Sequence, residues 1–292
     1  MAVFGVLDTD VKAHTGSKHN YYLGEMNGKK VVIAPLPVGR TGKAAAAGTV
    51  AALCNEVSSI ELVFMVGICG GVPFENTKYD KAINPGEYKR PNVRLGDVIV
   101  SYPIKTGGPA FLEFDYGKIR DIDTRENIKA NLKDIFKCSL RLSNKALEAA
   151  RTVKDLYENI RETPWEGDIA AFQKKDNTEK FAKPASESGS SSEFQLKPDE
   201  APQVHFGIIA SSDSVMRNAE VRNAIAEAEN IIGFEMENAG VATAADMEDK
   251  RCMFVRGVCD HSDEGKEKSW QPFAALAAAA VTKSIIAKIP GN

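Results

Sequence analysis

The chain has 292 residues, of which 43% are apolar and 26% charged, with a net charge of −3. That is enough apolar side chain to bury a substantial core, as one large or two small domains, and it excludes a globally disordered protein. Lys and Arg are spread along the chain rather than clustered, which argues against nucleic acid or anionic lipid as a partner and for a small neutral or anionic ligand.

The opening MAVFGVLDTD has neither a basic n-region nor an apolar h-region. From there, short β-branched runs alternate with helix-like runs: VVIAPL (31–36), TGKAAAAGTVAALCNEV (41–57), ELVFMVG (61–67) and DVIVS (97–101). Residues 161–203, with KKDNTEK and SESGSSSE, are polar, Ser-rich and poorly periodic. They read as an exposed insertion in one domain spanning 1–292, with a linker between two domains as the competing reading. The theme then resumes with VHFGIIAS (204–211), a helix around 218–229, IIGF (231–234), a helix from about Glu237, CMFVRGV (252–258) and a last helix from Pro272. Such alternation predicts an α/β layer architecture with a central, largely parallel sheet.

The tail PFAALAAAAVTKSIIAKI is interrupted by Lys283 and Lys288 before it could span a bilayer. Five scattered cysteines form no C-x-x-C pair, and no His sits at zinc-ligand spacing, so no metal is expected and the thiols read as reduced. A soluble, cytoplasmic protein is the expectation.

Four stretches carry candidate chemistry. GRTGKA (39–44) lies between a strand and a helix, but its glycines are too close for a nucleotide-binding loop and Ala44 follows Lys43 where Ser or Thr is needed. It is a tight turn, or a turn that meets an anion through free helix N–H groups. GICGGVP (67–73) lacks the dinucleotide spacing, yet glycines at the carboxyl end of a buried strand let backbone approach a ligand closely. RGVCDHSDEG (256–265) sets Asp260 just past an apolar strand, where it either caps a turn or enters a site. GFEMENAG (233–240) follows Ile231 and Ile232 and places Glu235 and Glu237 where burial demands partners for both carboxylates. Carboxylates at the ends of two successive strands point to a shared pocket.

Taken in order, YYLGEMNGKKVVIAPLPVG, FMVGICGGVP, RLGDVIVS, GIIASSDSVMRN, EMENAG, FVRGVCDHSD and KSWQPFAALAAAA resemble the purine nucleoside phosphorylase and methylthioadenosine/adenosylhomocysteine nucleosidase superfamily. The likeness is greatest to its fungal branch, often found as the front domain of large immune-type receptors. The resemblance implies a three-layer phosphorylase/hydrolase-like fold with a mixed, largely parallel sheet. It further implies a purine nucleoside ligand, cleavage of the N-glycosidic bond by phosphorolysis or hydrolysis, assembly as a homo-oligomer, no cofactor, and inorganic phosphate as the co-substrate if the reaction is phosphorolytic.

Residue by residue, the resemblance assigns Glu237 to the ribose hydroxyls, with Met236 packing on the sugar. Glu235 is left open between a structural and a sugar-adjacent role. Asp260 falls on the acid that protonates N7 of the leaving purine. Ser211, Asp213, Val215 and Met216 fall in the base-binding segment, with Val215 where some members stack an aromatic. Gly39, Arg40, Gly67 and Gly70 are candidates for the phosphate or nucleophile side.

Two departures fall on the nucleophile side. The superfamily opens with a strand ending in a Glu or in a phosphate-binding Gly and Arg, and AVFGVLDTD aligns with the helix after it. Met65 and Ile68 stand where hexameric phosphorylases place Arg and Ser. Three readings follow: an active nucleoside-cleaving enzyme, a catalytically impaired or truncated homologue acting as a nucleoside-binding or interaction module, and an unrelated α/β binding protein.

Overall fold

A computed structural model describes residues 12–14, 20–74, 90–104, 109–115, 184, 194–197, 200–266 and 268–289. The opening segment 2–10 and most of the insertion expected at about 161–203 lie outside the described residues.

The elements are β1 (Lys12–His14), β2 (Tyr21–Met26), β3 (Lys29–Ile33), α1 (Lys43–Glu56), β4 (Leu62–Gly71), β5 (Val98–Ser101) and β6 (Phe111–Glu113), followed by β7 (Val204–Ser211), α2 (Ala219–Glu229), β8 (Ile231–Glu235), α3 (Asn238–Met247), β9 (Arg251–Asp260) and α4 (Gln271–Lys288). Six strands form the main sheet in the order β5-β9-β4-β8-β7-β6. Pairs β4/β9, β5/β7, β6/β7 and β7/β8 are parallel, whereas β4/β8 and β5/β9 are antiparallel. The sheet is therefore mixed and largely parallel, as expected. It also closes on itself, because β5 pairs with both β9 and β7. Register shifts between Cys69 and Gly70 and between Ile208 and Ile209 mark bulges, which bend strands and increase their twist.

Helices cover both faces. The alanine-rich side of α4 lies against Met253 and Val255 of β9, while α1 and α3 pack on Phe254 of the same strand and Phe111 of β6. Both faces of β9 are thus covered, which is why CMFVRGVC is a nearly continuous apolar run rather than an alternating one. Burying each large aliphatic or aromatic side chain here contributes about 1.5–3 kcal/mol. Helix α2 starts where Asn218 Oδ1 accepts Val221 N–H at 3.0 Å, and it stops at Asn230 in a left-handed conformation.

Two expectations need correction. VVIAPL does not join the main sheet: β3 ends at Ile33 and belongs to a separate antiparallel sheet, β1-β2-β3. The Asn27-Gly28 pair, both at positive φ, makes the tight turn between β2 and β3. The glycines of GICGGVP do not follow a strand either; β4 runs through them to Gly71. No helix among the described residues is long and apolar enough to cross a membrane.

Candidate active site

Strand β8 delivers Glu235 into the core, 7% exposed, and the chain turns there into α3. Glu235 accepts the backbone N–H of Glu237 at 2.8 Å and of Asn238 at 2.9 Å, so it holds the first free amides of α3. It also takes a hydrogen bond from Ser211, whose hydroxyl accepts Ala239 N–H at 3.2 Å. Its charge partner is Arg256 of β9, 2% exposed, whose Nη2 contacts Glu235 directly. Arg256 also donates to Asn238 Oδ1, from Nη2 at 2.7 Å and from Nε at 3.1 Å, and Nη2 lies 3.4 Å from Glu237 Oε2. Burial pushes the Glu235 carboxyl up, and the Arg256 guanidinium opposes that rise. Glu235 thus has its partners inside the protein. Gly67 makes room for the guanidinium: a methyl group there would lie 2.5 Å from Arg256 Nη1.

Glu237 and Asp213 meet at the start of α1. Gly42, at φ +90°, a conformation that favours glycine, presents its N–H to Glu237 Oε1 at 3.1 Å, and Lys43 N–H donates to Asp213 Oδ1 at 2.8 Å. The helix end that could have met an external anion therefore meets two of the protein's own carboxylates. The Lys43 ammonium reaches Glu113, Asp115 at 2.8 Å and Asp213 at 3.6 Å. Burial alone would lower it, but Asp115 and Glu113 hold it above its ordinary value. Asp115, in turn, is raised by burial but more than offset by Lys43 and by the Asp213 N–H, so it sits below the usual carboxylate range.

Asp260 is the last residue of β9, opposite Gly70 of β4. Its Oδ1 accepts Ser262 N–H at 2.8 Å and lies 3.2 Å from Lys266 Nζ. A methyl group on Gly70 would sit 2.7 Å from that same oxygen. The following loop is tied down by Arg222, which donates to the carbonyl of His261 and lies 3.5 Å from Asp263.

The remaining candidates separate. Met236 is half-buried beside Glu237, and Met216 packs partly against the cluster around α2, β7 and β8. Val215 is 54% exposed, and Gly39 and Arg40 lie in an exposed turn. Sequence reasoning missed Arg256 and Lys43. Arg256 had a signal, since a lone cation in an apolar strand needs a buried counter-ion and GFEMENAG supplies one. Lys43 had none: its partners Glu113 and Asp115 lie about seventy positions away in a segment without a motif. Among the described residues no group of His, Cys, Asp and Glu could hold a metal ion.

The fold is that of nucleosidases acting on 5′-methylthioadenosine and S-adenosylhomocysteine. The enzyme from Neisseria meningitidis, solved with methylthio-immucillin-A, superposes with a TM-score of 0.57 at 18% identity, covering 99% of this chain and 95% of that one. Futalosine hydrolase of Helicobacter pylori gives 0.57 at 14% identity over 98% and 91%. The chain itself belongs to the phosphorylase superfamily, whose family model matches residues 6–289. A nucleotide-binding leucine-rich repeat (NLR)-like protein of Hyaloscypha variabilis is 32% identical over 277 residues, 92% of this chain. This chain spans about a quarter of that relative, 26% of its length.

Proposed function

We propose that this chain binds a purine nucleoside and cleaves its N-glycosidic bond. Glu237 takes the sugar hydroxyls, and Asp260 protonates the departing base. The observation that carries the reading is the framing of β4 by the two carboxylate sites. At Gly67 stands Arg256, which holds the Glu235 and Glu237 corner; at Gly70 stands Asp260. A carboxylate suits the sugar because it accepts two O–H donors with charge-assisted strength. Cleavage through an oxocarbenium-like state leaves negative charge on the base, and a positioned acid contributes about 10²–10⁴-fold. The likeness to a nucleosidase solved with methylthio-immucillin-A, and to a Helicobacter pylori nucleosidase variant solved with 5′-methylthioadenosine, supports the ligand class.

Of the two nucleophiles, the surroundings favour water over phosphate. Among the described residues one connected network holds five carboxylates, Glu113, Asp115, Asp213, Glu235 and Glu237, against Lys43 and Arg256 as its cations. The Gly42 and Lys43 amides, at the turn expected to meet an anion, already hold Glu237 and Asp213. A second reading, a nucleoside-binding module without cleavage, draws on the Hyaloscypha relative, of which this chain matches only a quarter.

Incubation of the chain with adenosine, inosine, guanosine and methylthioadenosine, each with and without phosphate, tests both. Free base released at a rate independent of phosphate is expected, with no ribose 1-phosphate. Binding without release moves the conclusion to the second reading, and absence of both binding and release overturns the two together.

A further inference from the structure

Lys43 stands at the meeting point of four segments that no motif connects. Its backbone N–H holds Asp213 Oδ1 at 2.8 Å, Asp213 N–H holds Asp115 Oδ2 at 2.8 Å, and Asp115 Oδ1 returns to Lys43 Nζ at 2.8 Å. These three bonds close a ring. Glu113 at the end of β6 takes the same ammonium, and the neighbouring Gly42 N–H holds Glu237. On the other side α1 crosses α3 so closely that a methyl group on Gly240 would lie 2.0 Å from the Lys43 carbonyl oxygen. The Lys43 side chain is 20% exposed, and those of Glu113 and Asp115 are 12% and 23% exposed. The ammonium and its Glu113 and Asp115 partners are therefore partly shielded from the solvent that weakens surface ion pairs, while Asp213, 57% exposed, is the open side of the ring.

β7 pairs with β8 as far as Ser211 and Glu235, and the Ser212 N–H reaches the Glu235 carbonyl at 3.1 Å, but Asp213 and Glu237 lie beyond that pairing. The first turn of α1 grips both, through adjacent amides, and the Lys43 ammonium locks that turn onto the end of β6. We propose that Lys43 is a positioning residue that sets the separation between the Asp213 segment and Glu237, and so the fit of a nucleoside between base and sugar contacts. This rests on the nucleoside reading above. Lys43 touches no substrate; it acts through Asp213, Asp115 and the amide of Gly42.

Lys43→Met removes the ammonium and keeps the stem and the backbone N–H, whereas Lys43→Arg keeps the charge. In the full chain, hydrogen exchange of the Asp213 and Gly42 amides reports the ring without any ligand. Titration calorimetry with adenosine, inosine, guanosine and methylthioadenosine reports the fit. Lys43→Met is expected to speed exchange at both amides at least tenfold and to raise the dissociation constant of whichever nucleoside the wild type binds at least tenfold. For any nucleoside that is cleaved, KM should rise more than kcat falls. Lys43→Arg should come within about threefold of wild type in each measurement. Faster exchange with unchanged affinity would make Lys43 structural only and overturn the inference while leaving the nucleoside reading in place; so would unchanged exchange. A wild-type chain that binds none of the four nucleosides defeats the nucleoside reading itself, and this inference with it.

Discussion

Arg256→Met strikes the most tightly coupled point of the molecule. The guanidinium and the Glu235 carboxylate have side chains 2% and 1% exposed, and Arg256 additionally serves Asn238 and Glu237. Methionine fills much of the volume but leaves Glu235 as a buried charge whose remaining partners are backbone N–H groups and Ser211. Breaking a buried pair from one side costs about 3–5 kcal/mol, roughly a fifth or more of the stability of an ordinary domain. Glu235→Gln should cost less, about 1.5–3 kcal/mol, since Arg256 keeps Glu237 at 3.4 Å as a counter-charge and the amide oxygen still serves the α3 amides. The double variant Arg256→Met with Glu235→Gln should then be more stable than the sum of the singles predicts, because no isolated charge remains. Arg256→Lys should not rescue, since an ammonium cannot hold Asn238 from two nitrogens while reaching Glu235. Urea unfolding at pH 7 followed by circular dichroism measures all four. A loss under about 1 kcal/mol in Arg256→Met, or strict additivity in the double variant, would refute the reasoning.

Glu237→Gln should weaken nucleoside binding by about 1.5–3 kcal/mol while unfolding free energy moves by under about 1 kcal/mol, measured by calorimetry and urea titration together. Asp97 is fully buried and accepts hydrogen bonds from His205 at 2.9 Å, from Gln203 N–H at 2.8 Å and from Arg94 N–H at 3.0 Å; burial alone would raise its carboxyl, but these partners bring it below the usual range. Asp97→Asn should therefore cost about 3 kcal/mol at pH 7, and the variant should lack the part of the wild-type stability that is lost as pH falls below about 3.9. Burial pushes His261 down to about 4, with Asp263 and Asp260 pulling the other way. Below its ordinary value of 6.5 the unfolded chain binds a proton that the folded chain refuses, so stability should fall by up to about 3 kcal/mol as pH drops from 6.5 to 4. Thermal melts across that window should show this loss reduced in His261→Phe, and an identical pH dependence in the two proteins would contradict it.

Periodicity made most of the element order legible. α1, β4, β7, β8, α3, β9 and α4 each fall within a few residues of the runs that announce them. Closure of the sheet was not legible, because it rests on β5 pairing with both β7 and β9, strands far from it in the chain, which no local residue pattern encodes. The hairpin between β2 and β3 is legible in Asn27-Gly28, although VVIAPL by itself reads as a strand of a parallel unit. In the site, the requirement that the carboxylates of GFEMENAG find partners was sound for Glu235, whose partners are Arg256 and the α3 amides. The capture of Asp213 by the α1 amide was hidden, since it needs two segments 170 positions apart to be brought together.

In the proposed reaction Asp260 supplies the proton that lets a purine leave. Base release and nucleoside binding by wild type and Asp260→Asn, measured side by side in the full chain, test it most directly. The amide keeps the size of the carboxyl and can still donate an N–H, but it has no proton to give, so the transition state loses more than the bound ground state. Base release by the wild type is expected, with release at least about 100-fold slower in Asp260→Asn and nucleoside affinity within about threefold of wild type. An Asp260→Asn protein that releases base at the wild-type rate would contradict it.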